Sequence, residues 1–132
     1  DSLATTEAPT GLMDVDPYTQ QITQLKNVFG IGDVAHLPTA KTGAVIRKQA
    51  PVVAENLLAV LSGEEPTKKY NGYTSCPLVT GYGKIMMAEF GYDDKLMPSF
   101  PLDPTKERWS MWMLKKYALP ILYWKFMLRG KA

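Results

Sequence analysis

Apolar and polar positions alternate in short runs near the start of the chain and again past its midpoint. Elsewhere they recur every three to four residues. Leu12-Met13-Asp14-Val15-Asp16 predicts a short strand ended by Pro17. Asn27-Val28-Phe29-Gly30-Ile31-Gly32 predicts a better one, with Asp33 at its end; its glycines leave room for a close approach to the backbone. From Lys41 to Leu61 the residues Val45, Gln49, Val52, Val53, Leu57 and Val60 recur at helical spacing. Pro51 inside that pattern predicts a kink or a division, and Ser62-Gly63 a stop.

Residues 64–69 are charged and proline-bearing, which predicts an exposed connector. Cys76-Pro77-Leu78-Val79-Thr80 and Lys84–Phe90 predict the two arms of a hairpin around Gly81-Tyr82-Gly83. Pro77 has no amide hydrogen, so Cys76 is expected at a strand start or on an edge. After the punctuating Pro98, Pro101 and Pro104, the run Pro104-Thr105-Lys106-Glu107 predicts a helix start. Leu119-Pro120 predicts its end, with a second helix from Pro120 through Leu128. The expected class is α+β, without internal repeats.

Composition narrows the picture. A chain of 132 residues with 45% apolar and 21% charged residues reads as ordered and long enough for a real core. It begins at Asp1 and opens on the polar, loop-like stretch Asp1–Thr10, which is expected of a piece of a longer protein. No signal peptide is visible. The net charge is only +2, but it is unevenly placed. From Pro104 onward Lys106, Arg108, Lys115, Lys116, Lys125, Arg129 and Lys131 face the single acid Glu107, and all three tryptophans lie there too. Cations mixed with large aromatics suit an anionic membrane surface better than nucleic acid. Lysines and Pro120 interrupt Trp109–Arg129, so two short interfacial helices are expected rather than a bilayer-crossing one. The alternative is an ordinary packed helix pair.

Cys76 is the only cysteine, which rules out a disulfide framework within the chain. It is framed by Tyr73-Thr74-Ser75-Cys76-Pro77-Leu78-Val79-Thr80-Gly81-Tyr82. A buried inert thiol and a redox thiol whose partner lies elsewhere are both compatible with one cysteine. Asp33, just past a glycine-bearing strand, suits sugar hydroxyls of a dinucleotide or a turn cap. Lys41 stands at the start of the following helix, where its ammonium opposes the helix dipole unless another partner holds it. Without such a partner it reads as a solvated surface lysine. His36, the only histidine, is expected to be a surface loop residue. No cluster has metal-ligand spacing, so no metal is expected.

The run Asn27–Asp33 resembles the second FAD motif of the two-dinucleotide-fold flavoproteins. Leu37-Pro38-Thr39-Ala40-Lys41-Thr42, then Pro66 through Tyr82, Ala88-Glu89-Phe90, Tyr123-Trp124 and Met127-Leu128-Arg129-Gly130 are similar to the sulfide:quinone oxidoreductases, nearest to the type that includes the mitochondrial enzyme. That resemblance implies the last strand and helix of a Rossmann-like FAD domain over residues 1–63. It implies a hairpin segment with the redox cysteine over 64–103 and a membrane-associating helical tail over 104–132. It implies FAD bound through Asp33 near Lys41. It implies Cys76 as the cysteine that takes up sulfide sulfur as a persulfide, and electrons passed through FAD to a membrane quinone. Sulfane sulfur then leaves on an acceptor. Phe100, Trp109 and Tyr123 are candidate neighbours of the quinone.

The implied location is peripheral on a bacterial cytoplasmic or mitochondrial inner membrane. The ten glycines never form Gly-x-Gly-x-x-Gly, and no second cysteine exists. The chain alone is therefore expected to be the C-terminal third of such an enzyme and inactive. Its unpartnered sheet is expected to expose an edge or to self-associate into a homo-oligomer. Two other readings are a type II NADH:quinone dehydrogenase, which has no use for Cys76, and a non-catalytic membrane-binding or subunit-interaction module.

Overall fold

The computed structural model describes residues 11–131, and the predicted opening loop Asp1–Thr10 lies outside the described residues. These residues fall into two compact units: those up to Thr74 together with Gly91–Lys95, and Ser75–Phe90 together with those from Leu96 onward. The class is α+β, with small two-stranded sheets and a C-terminal helix.

In the first unit, β1 (Met13–Asp14) ends near Pro17 as expected, and Val15 bridges onward to Ile22. The turn that follows is tied by Asp16. Its carboxylate accepts the amides of Tyr18 (2.9 Å) and Thr19 (2.6 Å) and the Thr19 hydroxyl (3.0 Å). Burial pushes the Asp16 carboxyl upward, but those hydrogen bonds outweigh it and hold it below the usual carboxylate value. β2 (Gln21–Ile22) then pairs antiparallel with β3 (Leu25–Phe29), with an irregular register between Gln21 and Ile22.

The predicted strand Asn27–Gly32 is thus displaced toward the N-terminus, and its glycines fall outside it. Gly32 has φ +67°, which a strand cannot accommodate, and it starts a 3-10 turn over Gly32–Val34. β4 (Ala35–His36) returns to pair parallel with β1, with Met13 opposite Ala35 and Asp14 opposite His36. Val15, Ile22 and Ala35 form one buried cluster, flanked by Met13, Val28 and Leu37.

The helix α1 (Gly43–Leu61) starts at the cap Thr42, whose hydroxyl accepts the Val45 amide at 3.4 Å. It runs through Pro51 undivided. Pro51 is exposed, so water can take the carbonyl that the missing proline amide leaves free. The buried face is Val45, Gln49, Val52 and Asn56, rather than a stripe continuing through Leu57, which is exposed. Asn56 is buried because its amide is fully used. It donates to Thr19 (3.1 Å) and Lys68 (2.9 Å) carbonyls and accepts the Lys68 amide (2.9 Å). The helix stops as predicted. Gly63 (φ +80°) bonds back to Val60 at 3.0 Å and Glu64 to Ala59 at 2.9 Å, the paired bonds of a Schellman cap. Val45, Val52 and Tyr70 form a second buried cluster, against which Tyr92 packs.

The second unit is built on the predicted hairpin of β5 (Thr74–Gly81, whose first residue belongs to the first unit) and β6 (Lys84–Phe90) around Tyr82-Gly83. Pro77 lies within β5, which a two-stranded sheet permits because both strands are edges.

The helical tail differs from expectation in two ways. It opens at Trp109 rather than at Pro104. Asp103 instead folds a tight turn, accepting the Thr105 amide (3.0 Å) and hydroxyl (2.6 Å). Arg108 then stays extended and exchanges backbone bonds with Ile85 (2.9 and 3.3 Å). The tail also does not break at Leu119-Pro120. α2 (Trp109–Met113) passes through a π turn, Leu114–Ala118, directly into α3 (Leu119–Lys125). The wider turn lies just ahead of Pro120, where an α-helical ladder would meet the proline ring and lack its amide. The last α-helix ends at Lys125, short of the predicted Leu128; a 3-10 turn over Met127–Arg129 follows, and left-handed Gly130 stands at the predicted stop.

Candidate functional site

In the first unit, the 3-10 turn after β3 carries Asp33 at its centre, and Asp33 is exposed. The turn is fixed from behind by α1. The Gln49 side-chain oxygen accepts the buried Gly32 amide at 2.8 Å. Gln49 is fully buried, and its Nε2 has no partner among the described residues. Sequence reasoning placed Gln49 only in a packing stripe. The signal that marks it is a polar residue repeated among buried apolar ones.

Lys41 is brought to the same turn. It precedes the cap Thr42, and its ammonium donates to the Asp33 backbone carbonyl at 2.5 Å. That is the partner which relieves its position against the helix dipole. Gly43, the first residue of the helix, is exposed and has nothing within 4 Å of where a Cβ would sit, so the N-terminus is open to approach there. His36 is exposed as expected, but on β4 rather than in a loop. Thr74, the last residue of this unit before β5 continues, hydrogen-bonds to the cap hydroxyl of Thr42 (3.2 Å) and to the Ala40 carbonyl (3.4 Å).

In the second unit, Cys76 is an exposed free thiol on β5. The next residue, Pro77, offers its carbonyl to the Lys115 ammonium at 3.0 Å. A cavity of about 20 Å³ lies beside β6, lined among others by Met87, Glu89, Phe100, Arg108 and Met111. Glu89 is buried; its two carboxylate oxygens accept the Ser99 amide (2.9 Å) and hydroxyl (2.6 Å). Phe100 lines that cavity, whereas Trp109 and Tyr123 are exposed on the tail. Along the tail Tyr117, Ile121, Trp124, Phe126 and Leu128 are also exposed, and Met111 is buried. The Lys116 ammonium sits over the Trp112 and Tyr117 rings at 4.6 and 5.2 Å. Among the described residues no helix is long and apolar enough to cross a membrane. Among them, too, no group of three or more His, Cys, Asp or Glu could hold a metal ion.

The chain is 46% identical over 120 residues to the mitochondrial sulfide:quinone oxidoreductase of Mus musculus. It is 45% identical over 122 residues to that of Dictyostelium discoideum, and 47% over 125 residues to that of Schizosaccharomyces pombe. The chain is similar to part of a sulfide:quinone oxidoreductase. The matches take in 91–92% of this chain, which spans only about 27% of the length of these relatives. No protein-family model matches. A solved chain in the cryo-EM structure of the Tetrahymena thermophila mitochondrial ATP synthase, an F1Fo composite tetramer, superposes with a TM-score of 0.80 at 27% identity. That similarity covers 91% of this chain and 29% of the other. The resemblance read from the Cys76 segment therefore extends to named sulfide:quinone oxidoreductases, which are oxidoreductases.

Proposed function

We propose that this chain is the C-terminal part of a flavoprotein that oxidises sulfide to protein-bound sulfane sulfur and passes the electrons to a membrane quinone. In this reading residues 1–63 complete a Rossmann-like FAD domain, 64–103 carry the redox cysteine, and 104–132 rest on the membrane. The observation that carries it is Cys76: an exposed thiol in a Thr-Ser-Cys-Pro strand, within a chain 45–47% identical to sulfide:quinone oxidoreductases.

The residues around Asp33 fit an FAD group in part. Asp33 offers an exposed carboxylate as an acceptor for sugar-like hydroxyls, the Lys41 ammonium stands at the same turn, and the N-terminus of α1 is open at Gly43. Bound FAD supplies two-electron transfer between sulfur and quinone. Cys76 receives the sulfur. A hydrosulfide anion bonds to its Sγ as a disulfide to a second cysteine, in polypeptide outside this chain, breaks and releases that cysteine as thiolate. A sulfane-sulfur acceptor then takes the outer sulfur from Cys76. Exposed Trp109, Tyr123 and Trp124, together with the tail lysines, supply headgroup-level contacts for peripheral attachment. The test is Cys76→Ser in the flavin-loaded protein that carries this chain. Sulfide-dependent quinone reduction is expected to be lost almost completely.

A second reading has its own observation. The superposition on a chain within an ATP synthase assembly favours a non-catalytic subunit-interaction role. Under that reading the Cys76→Ser protein keeps whatever sulfide oxidation the unaltered protein has.

A further inference from the structure

We propose that Thr74 is a positioning residue for Cys76: its hydroxyl ties the base of the cysteine strand to the N-terminus of α1 and so restrains where the thiol stands. The proposal rests on Cys76 being the sulfur-handling residue.

Three observations carry it. The first is a run of hydrogen bonds that all point one way. The Thr74 hydroxyl donates to the Ala40 carbonyl at 3.4 Å. With its one proton used there, it accepts from the Thr42 hydroxyl, 3.2 Å away. Thr42 in turn accepts the Val45 amide at 3.4 Å as the cap of α1. Amide, cap hydroxyl, strand hydroxyl and carbonyl thus form one polarised chain, in which each bond strengthens the next. The links are long, but Thr74 is only 5% exposed, so water does not compete for them.

The second is the anchoring of the backbone just ahead. The Thr39 hydroxyl donates to the Gly72 carbonyl at 3.4 Å, and the Tyr70 hydroxyl to the Tyr73 carbonyl at 2.6 Å. From α1 the Lys48 ammonium stands over the Tyr73 ring, 5.8 Å from its centre. Residues 72–74 are buried, Ser75 is half-buried and Cys76 is exposed. Thr74 therefore ends a held, buried run, and the thiol stands just beyond it.

The third is the strand that carries both residues. Thr74 and Cys76 lie two positions apart on β5, which puts them on one face of the strand with a rise of roughly 6.6 Å between them. A restraint at Thr74 therefore limits the sweep of the thiol. That matters for sulfur transfer, because a shift of about 1 Å at a reacting centre can cost about a hundredfold in rate. The other end of the hydrogen-bonded chain is the Ala40–Thr42 loop, whose Lys41 holds the Asp33 turn. One pair of hydroxyls thus links the cysteine strand to the turn proposed to meet the flavin.

The test uses Thr74→Val, which keeps the shape and removes the hydroxyl, against Thr74→Ser, which keeps the hydroxyl. On this chain a nitroxide is attached to Cys76, its only cysteine. The label is expected to become more mobile in Thr74→Val and to keep its mobility in Thr74→Ser. In the flavin-loaded protein that carries this chain, sulfide-dependent turnover per bound flavin is expected to fall about ten- to a hundredfold in Thr74→Val. Flavin content and the KM for quinone stay level, and Thr74→Ser restores the rate. Should Thr74→Val fail to fold, Thr42→Gly removes the same link from its other end, with glycine accepted as a cap, and is expected to show the same two losses. Unchanged mobility, unchanged turnover, an equal loss in Thr74→Ser, or a fall matched by lost flavin overturns the proposal. Any of these in a protein that Cys76→Ser still inactivates strikes Thr74 alone, so the two readings fail separately.

Discussion

The side-chain oxygen of Gln49 accepts the amide hydrogen of Gly32 at 2.8 Å, out of contact with water. One bond thus joins the second turn of α1 to the turn that presents Asp33. Gln49→Leu keeps the volume and strands the Gly32 amide. A buried donor without a partner costs about 1–3 kcal/mol, so the urea midpoint is expected to fall accordingly. A midpoint equal to that of the unaltered chain contradicts the assignment of this bond.

Gly63 and Gly72 share φ +80° but differ in surroundings. Nothing lies within 4 Å of a Cβ on Gly63, whereas one on Gly72 meets the Tyr92 ring at 2.5 Å and the Tyr92 amide nitrogen at 2.6 Å. Gly63→Ala is expected to cost about 1–2 kcal/mol for the left-handed backbone alone. Gly72→Ala adds a clash with backbone and is expected to cost clearly more, in the range above about 4 kcal/mol that marks exceptional substitutions. Equal losses in thermal unfolding contradict the packing described for Tyr92.

Tyr70 gives the first unit an alkaline limit. Burial pushes its phenol from the ordinary 10.0 up to about 12, against a partly offsetting hydrogen bond with Thr39. Tyr92 is pushed higher still, first by burial and then by Tyr70. A raised folded value means the folded state holds its proton where the unfolded state has lost it. The stabilisation is complete below about pH 10 and is lost as pH rises toward about 12. Urea midpoints are expected to be level up to about pH 10 and to decline above it. Tyr70→Phe starts lower, having lost the 2.6 Å bond to the Tyr73 carbonyl, and declines less steeply.

The proline-punctuated stretch after β6 is held by Glu89. Its carboxylate takes both the amide and the hydroxyl of Ser99, and its backbone carbonyl takes the Met97 amide at 3.1 Å. Glu89→Ala removes two bonds to a charged acceptor, each worth about 1.5–3 kcal/mol. Faster proteolytic cutting within residues 97–104 is expected, with Glu89→Gln in between. Unchanged cutting contradicts the role of Glu89 as the anchor.

Local chemistry was legible in the sequence wherever one residue type dominates a backbone choice. The hairpin around Tyr82-Gly83, the Gly63 cap and the stop at Pro17 follow directly from glycine and proline. The misses share a cause, which is that partners distant in sequence decided the outcome. Pro51 and Pro120 sit inside continuous helices because water at an exposed face and a widened turn absorb what each proline lacks. Residues 104–108 are diverted from helix by the Asp103 turn and by pairing of Arg108 with Ile85. Lys41 and Asp33 were singled out separately, but the bond through the Asp33 carbonyl is invisible to spacing. The same holds for Gln49 and Lys115, whose partners lie 17 and 38 residues away.

The most direct measurement is the mass of the Cys76 peptide. The flavin-loaded protein carrying this chain is given sulfide without a sulfur acceptor and trapped with an alkylating reagent. The account predicts a peptide heavier by one sulfur atom at Cys76, lost again when an acceptor is added. An unmodified Cys76 thiol in a protein that still reduces quinone with sulfide would contradict it.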